Sequence, residues 1–208
     1  MPNVAPNIAV LTGDLIRSTD LRAADLRRAI AALQQAAEDI AAWDGVETAF
    51  GLRGGDGWQL VLRPAPLALR AALTLRAALR TLGKSYDSRI AIADGGDAMP
   101  PDGNPNAALG PVYVTSGRAL EAMKGEDGLR WGTEAKGAAT LLADHISRDW
   151  TPAQARALTP QLAPQPPRRE DTAKILHISR QSVNKALWAA GYPALSEALQ
   201  MIETALDQ

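Results

Sequence analysis

Apolar positions along the chain change their period several times, and each change marks an element. The first run, Ile8-Ala9-Val10-Leu11, is short and continuous and ends in Thr12-Gly13-Asp14. It predicts a buried strand that delivers a carboxylate at its carboxyl end. Residues 19–43 turn to a helical period, with Leu26, Ile30, Leu33, Ala37 and Ile40 on one face and Asp44-Gly45 as the stop. Two β-like runs, 47–53 and 58–62, flank Gly54-Gly55-Asp56-Gly57 and predict a hairpin with Asp56 at its tip. Pro64 and Pro66 end it, and residues 67–82 predict a second helix. Residues 88–93 alternate as a strand, 94–106 are a glycine- and proline-rich loop, and helices are predicted over 111–123 and 134–148. The order strand, helix, hairpin, helix, strand, helix implies an α/β sandwich of the ferredoxin-like kind, with its helices on one sheet face.

After Trp150 the pattern changes. Thr151-Pro152 predicts a capped helix through Leu158, a proline-rich break follows at Pro160, Pro164, Pro166 and Pro167, and helical patterns resume to Leu206. This divides the chain into an α/β domain at 1–149 and a small all-α domain at 150–208. The stretch REDTAKILHISRQSVNKALWAAG fits a helix-turn-helix. Ala173 is the small residue where two helices touch, Leu176 and Ile178 bracket the turn, and Ser179 is a natural N-cap. Val183, Ala186 and Leu187 form the inner face, which points Gln181, Lys185 and Trp188 outward with Ser182 and Asn184 on the flanks. His177 takes the turn position where glycine is usual, and histidine tolerates left-handed geometry better than most residues. Arg169, Ser179, Arg180, Gln181, Ser182, Asn184 and Lys185 are thus candidate contacts to double-stranded DNA, being the residue types that reach base edges and phosphates. A helical hairpin that only packs or dimerises is the plainer reading.

Composition narrows the classes. The 208 residues are 46% hydrophobic and 22% charged, with a net charge of −1, which excludes wholesale disorder. Sixteen basic and 18 acidic side chains lie up to Asp149, and six and five after it, so neither half is a polybasic tail. Any nucleic-acid contact must come from a local patch. With no cysteine and only His145 and His177, a thiolate zinc site, a cysteine nucleophile and a histidine-rich metal site are excluded. No run approaches a membrane span; even residues 67–82 carry Arg70, Arg76 and Arg80. MPNVAPNIAV lacks the basic start and apolar middle of a signal peptide, so the expectation is a cytoplasmic protein. Trp43, Trp58, Trp131 and Trp150 are expected as core or interface anchors, and His145 as partly buried.

Asp14 and Asp56 would converge at one sheet edge if their strands are neighbours, and two carboxylates suit Mg²⁺ with phosphate oxygens completing its shell. Leu15, Ile16, Arg17, Ser18 and Thr19 would then offer backbone amides to a triphosphate. The alternative is that both aspartates only form turns. VLTGDLIRST resembles the first motif of class III nucleotidyl cyclases, with Asp14 and Thr19 at the family spacing and Arg17 where a glycine is usual. GGDGWQLVL resembles their second metal motif and SRIAIADGG the following strand. GPVYVTSGRALEAM resembles the helix bearing the transition-state arginine, here Arg118. These motifs cover residues 7–124, and with the helix-turn-helix the whole chain resembles the SatD family of cyclase-related proteins. RGGDGW also resembles the diguanylate cyclase signature, a related palm fold, over the hairpin only.

The resemblance implies a nucleotide-cyclase-like domain that dimerises, Mg²⁺ with a nucleoside triphosphate at Asp14 and Asp56, and phosphate contact from Arg118. Three positions depart from it. Val114 replaces the catalytic asparagine, Leu52 the purine-selecting lysine, and Ala107 that lysine's acidic partner. Losing contacts that tighten in the transition state leaves binding without turnover. No catalytic residue is therefore expected, Arg118 being the candidate if the domain is active. The leading expectation is a homodimeric DNA-binding transcriptional regulator that senses a purine nucleotide. An active Mg²⁺-dependent nucleotidyl cyclase is the alternative, and a protein-binding role for both domains is the third. In the plainer reading Arg118 pairs with Glu121 or Glu126 on its own surface.

Overall fold

The structure, a computed structural model, describes residues 7–124, 127–132 and 134–206. Strand β1 (Ile8–Leu15) leads through a 3-10 turn at Ser18–Asp20 into α1 (Ala23–Ala41). The hairpin β2 (Glu47–Arg53) and β3 (Gly57–Arg63) precedes α2 (Ala68–Leu82) and β4 (Ser88–Gly95). Then come α3 (Pro111–Ala122), β5 (Leu129–Trp131) and α4 (Glu134–Arg148). Four helices close the chain: α5 (Pro152–Gln161), α6 (Arg169–Leu176), α7 (Arg180–Ala189) and α8 (Tyr192–Leu206).

The sheet runs β2-β3-β1-β4-β5, with β1 antiparallel to both β3 and β4 and only β5 parallel to its neighbour. The first four strands and their helices follow the expected β-α-β-β-α-β order. The edge strand β5 is an addition, three residues long and beyond the reach of a periodicity argument. Alternation along β1 splits the interior in two. Ala9, Leu11 and Leu15 face α1 and α2, together with Trp58, Leu60, Leu62, Ile90 and Ile92. Ile8 and Val10 face the other way, toward Val61, Ala93, Val112 and Tyr113. Those last two belong to α3, so the expectation of helices on a single face is corrected: α3 covers the opposite face. Thr12, between Gln59 (2.9 Å) and Ser116 (2.8 Å), hydrogen-bonds α3 to the sheet there.

The chain after Trp150 packs on α2. Thirteen of the 15 residues of α2 are buried, including Arg70, Arg76 and Arg80, because α5 lies along its outer side and α4 joins it. Arg70 donates to both oxygens of Glu203 on α8 (2.7 and 2.9 Å) and to the Leu162 carbonyl. Trp150, 1% exposed, donates from Nε1 to the Ala190 carbonyl at the end of α7. Thr151 caps α5 with a complete capping box to Gln154, and the helix continues to Gln161 through Pro160. Trp58, Trp131 and Trp150 are core residues as expected, and Trp43 is nearly so; His145 is exposed rather than partly buried, since Ala143, Asp144 and Ser147 hold the inner face of α4.

Candidate functional site

Register brings the first candidate site together. Asp14 stands opposite Gly57 on one side and Arg89 on the other. Its side chain points to the α3 face, as does that of Arg89, and directly opposed residues on one face meet. The Arg89 guanidinium clasps both Asp14 oxygens, with Nε–Oδ1 at 2.9 Å and Nη2 on Oδ2, and its Nη1 donates to the Met123 carbonyl at the end of α3 (3.2 Å). The hydrogen bonds to Asp14 hold Arg89 above its ordinary pKa against partial burial, and the charges of Asp14 and Asp56 add to the effect.

Asp56 sits in the hairpin turn after Gly54, whose φ of 66° favours a residue without Cβ. Its carbonyl accepts from the Leu15 amide (3.2 Å), which ties the hairpin tip to the end of β1, and its carboxylate accepts from the Ser18 hydroxyl. Asp14 and Asp56 therefore do lie at one sheet end. Mg²⁺ asks for free oxygen ligands. Here both oxygens of Asp14 are spent on a guanidinium, and no group of three or more carboxylate or histidine side chains among the described residues is placed to hold a metal ion. The arrangement does not fit a metal unless Arg89 withdraws.

The segment after β1 is less open than its sequence implies. The Leu15 and Ile16 amides are committed to the Asp56 and Asp87 carbonyls. The amides of Arg17, Ser18 and Thr19 donate to no protein group among the described residues. Arg17 has φ 54° and ψ 37°, the left-handed geometry for which its usual glycine is suited. Arg118 projects from α3 into solvent with no ion-pair partner among the described residues, Glu121 included; Glu126 lies outside them. Val114 and Leu52 are both partly exposed, at 47% and 39%. Asn106, beside Ala107, donates to the Leu52 carbonyl (2.8 Å) and closes the 3-10 turn at Pro105–Ala107 over β2.

The second candidate site is the α6–α7 pair. His177 ends α6 in left-handed geometry (φ 53°), and Ser179 caps α7 through its hydroxyl, which accepts from the Ser182 amide (3.1 Å). Ala173, Val183 and Leu187 are buried, while Ile178 is 44% exposed. Arg169 donates to Asn184 (2.9 Å) and so braces α6 to α7; Arg180 pairs with Glu170 (3.2 Å), and Ser182 with Ser179 (2.9 Å). Gln181, Lys185 and Trp188 lie exposed along one stripe, Trp188 at 69%.

Sequence reasoning missed Arg89, whose place opposite Asp14 depends on strand register, and missed the role of the α2 arginines. No family model and no curated protein matches the chain. Among solved structures it is similar to the catalytic core of a rhodopsin-guanylyl cyclase with converted specificity in complex with ATPαS. That likeness has 18% identity and a TM-score of 0.41, covering 60% of this chain and 77% of that one. At these values it does not bear on function.

Proposed function

We propose that the protein is a cytoplasmic DNA-binding transcriptional regulator of the SatD kind, whose cyclase-like domain dimerises and binds a purine nucleotide without turning it over. The observation that carries this reading is the α6–α7 pair. Its tight left-handed turn, its capped second helix and the exposed stripe Gln181, Lys185 and Trp188 form a helix that can enter a major groove. Gln181 and Lys185 read base edges, Arg180 and Ser182 approach from the first turn, and Arg169 with Asn184 fixes the helix on its support. No described helix is long and apolar enough to cross a membrane.

In the α/β domain, a nucleotide's phosphates meet Arg118 and the open amides of Arg17, Ser18 and Thr19, while Leu15 and Ile16 shape the segment from behind. Mg²⁺ would be held by Asp14 and Asp56 only in exchange for Arg89. The alternative, an active nucleotidyl cyclase, draws on the nearness of these two aspartates and on the unpaired state of Arg118 among the described residues. Against it stand Val114, Leu52 and the Arg89 clasp.

Three measurements separate the readings. Genomic fragments captured by the wild-type protein should no longer be retarded by the double variant Gln181→Ala, Lys185→Ala. Each lost base contact costs about 1–3 kcal/mol, roughly 5- to 150-fold in affinity. Wild-type retardation by the double variant, with circular dichroism unchanged, ends the proposed role of α7. ATP and GTP with Mg²⁺ or Mn²⁺ should yield no cyclic nucleotide, and product that disappears in Asp14→Ala promotes the cyclase reading. Calorimetric titration with ATP, with and without Mg²⁺, tells whether metal enters at all.

A further inference from the structure

A pocket of about 600 Å³ opens beside the end of β1, away from Asp14, Asp56 and Arg118, none of which lines it. Ile16 and Arg17 come from the segment after β1, Arg76 and Arg80 from α2, Lys84 and Asp87 from the stretch before β4, and Arg148 from the end of α4. Five cations line it, and Asp20 and Asp87 are the carboxylates that do so.

Donors here outnumber acceptors. Asp87 takes Arg76 Nε (3.2 Å), Arg80 Nη2 (2.6 Å) and the Ser88 amide (2.8 Å). Asp144 takes Arg76 Nη1 (2.7 Å) and Arg148 Nη2 (2.6 Å), and Ser147 also accepts from Arg76 Nη1. Arg80 Nη1 is used by the Lys84 carbonyl. Arg76 Nη2 and Arg80 Nε are left, both buried and without an acceptor among the described residues, on side chains 1% and 7% exposed. A guanidinium cannot shed its proton, and an unmet buried donor is destabilising, more so when it is charged. The helix carries that cost twice within about one turn. Gly128 shows how tightly the backbone admits Arg76: a Cβ there would stand 2.3 Å from Nη2.

We infer that this pocket is an oxyanion site, taking a phosphate group either as free phosphate or as part of a small phosphorylated molecule. An oxyanion supplies several acceptors at once, and the planar guanidinium fork matches it in geometry as well as charge. Lys84 and Arg17 are exposed and add positive charge to the lining, with Asp20 the exposed carboxylate among them. Burial draws Arg80 below its ordinary pKa against the pull of Asp87, and the neighbouring Arg76 charge lowers it further; Asp149 partly offsets this. An anion opposes both of the lowering effects. Arg148 also stands two residues before Trp150, which holds the end of α7, so a filled pocket stiffens the junction between the sheet domain and the terminal helices.

The test uses the full chain in chelator, with inorganic phosphate, pyrophosphate or ATP as probe and chloride at matched ionic strength as control. Phosphate should bind by calorimetry and raise the melting temperature above the chloride control. Lys84→Glu, at an exposed rim position that the fold does not need, should weaken binding about tenfold. Arg80→Lys, which keeps the charge and removes Nε, should also weaken it. Binding of pyrophosphate or ATP without inorganic phosphate, still weakened by Lys84→Glu, assigns the site to a larger phosphorylated ligand. Absence of binding by all three at millimolar concentration, an equal effect of chloride, or binding untouched by Lys84→Glu overturns the proposal.

Discussion

At Asp14 the guanidinium of Arg89 is matched oxygen for oxygen, whereas along α2 two guanidinium groups each keep one nitrogen without an acceptor among the described residues. Both regions border the same end of the sheet, and both set arginine against carboxylates. They differ in what they leave over. The first is neutralised from within and sits about one-third exposed, so its ion pair competes with water and with any incoming cation. The second lies on a helix packed by α4 and α5, where one nitrogen each of Arg76 and Arg80 is buried with no acceptor among the described residues beside a pocket that opens to solvent. A motif-bearing site can therefore be electrostatically closed while an unremarked seam is open to a ligand.

Stability tests break this comparison most sharply. Arg76→Ala takes from Asp144, 2% exposed as a residue, its buried partner and loosens Asp87; with Arg148 still paired to Asp144, the loss should be about 3 kcal/mol, the low end for breaking a buried pair. Arg89→Ala, at a partly exposed pair, should cost about 1 kcal/mol or less. Urea midpoints of the two variants decide, and equal losses would show that the two regions are not different in kind. Arg89→Gln frees the Asp14 carboxylate and should create a Mn²⁺-dependent stabilisation of about 1 kcal/mol at metal about five times its Kd, absent from the wild type. No metal effect in the variant means that Asp14 and Asp56 do not share a cation even when released. The smallest effect is expected at His177, whose left-handed backbone favours glycine: His177→Gly should gain about 0.5–1 kcal/mol by thermal melting.

Much of this was legible before folding. The hairpin tip at Asp56, the end of α2 at Leu82, the start of α3 at Pro111, the bounds of α4 and the cap at Ser179 follow from local signals: glycine turns, proline starts and hydroxyl caps. Arg17 and His177 both stand where glycine is usual, and they are the non-glycine residues with positive φ among those described. That agreement is local too, since a left-handed turn is a property of a few bonds. The convergence of Asp14 and Asp56 was also readable, because a hairpin beside the first strand brings its tip to that strand's end.

Strand β5, three residues long, was not readable, and neither was α3's place across the sheet. The periodicity of α2 marks Arg70, Arg76 and Arg80 as a polar face that should meet solvent, and on an isolated helix it would. Only the tertiary structure lays α4, α5 and α8 over that face and chooses Asp144, Glu203 and Asp87 as partners. Their separations along the chain run from 7 to 133 residues, which no local pattern encodes. Arg89 is the same case in a strand: alternation gives its face, but register with β1 alone sets it against Asp14. The sequence by itself determined which segments are helix, strand and turn, because those preferences act within a few residues. Which charges are buried, which are matched and which are left wanting an anion was decided by packing, because burial is a property of distant segments brought together.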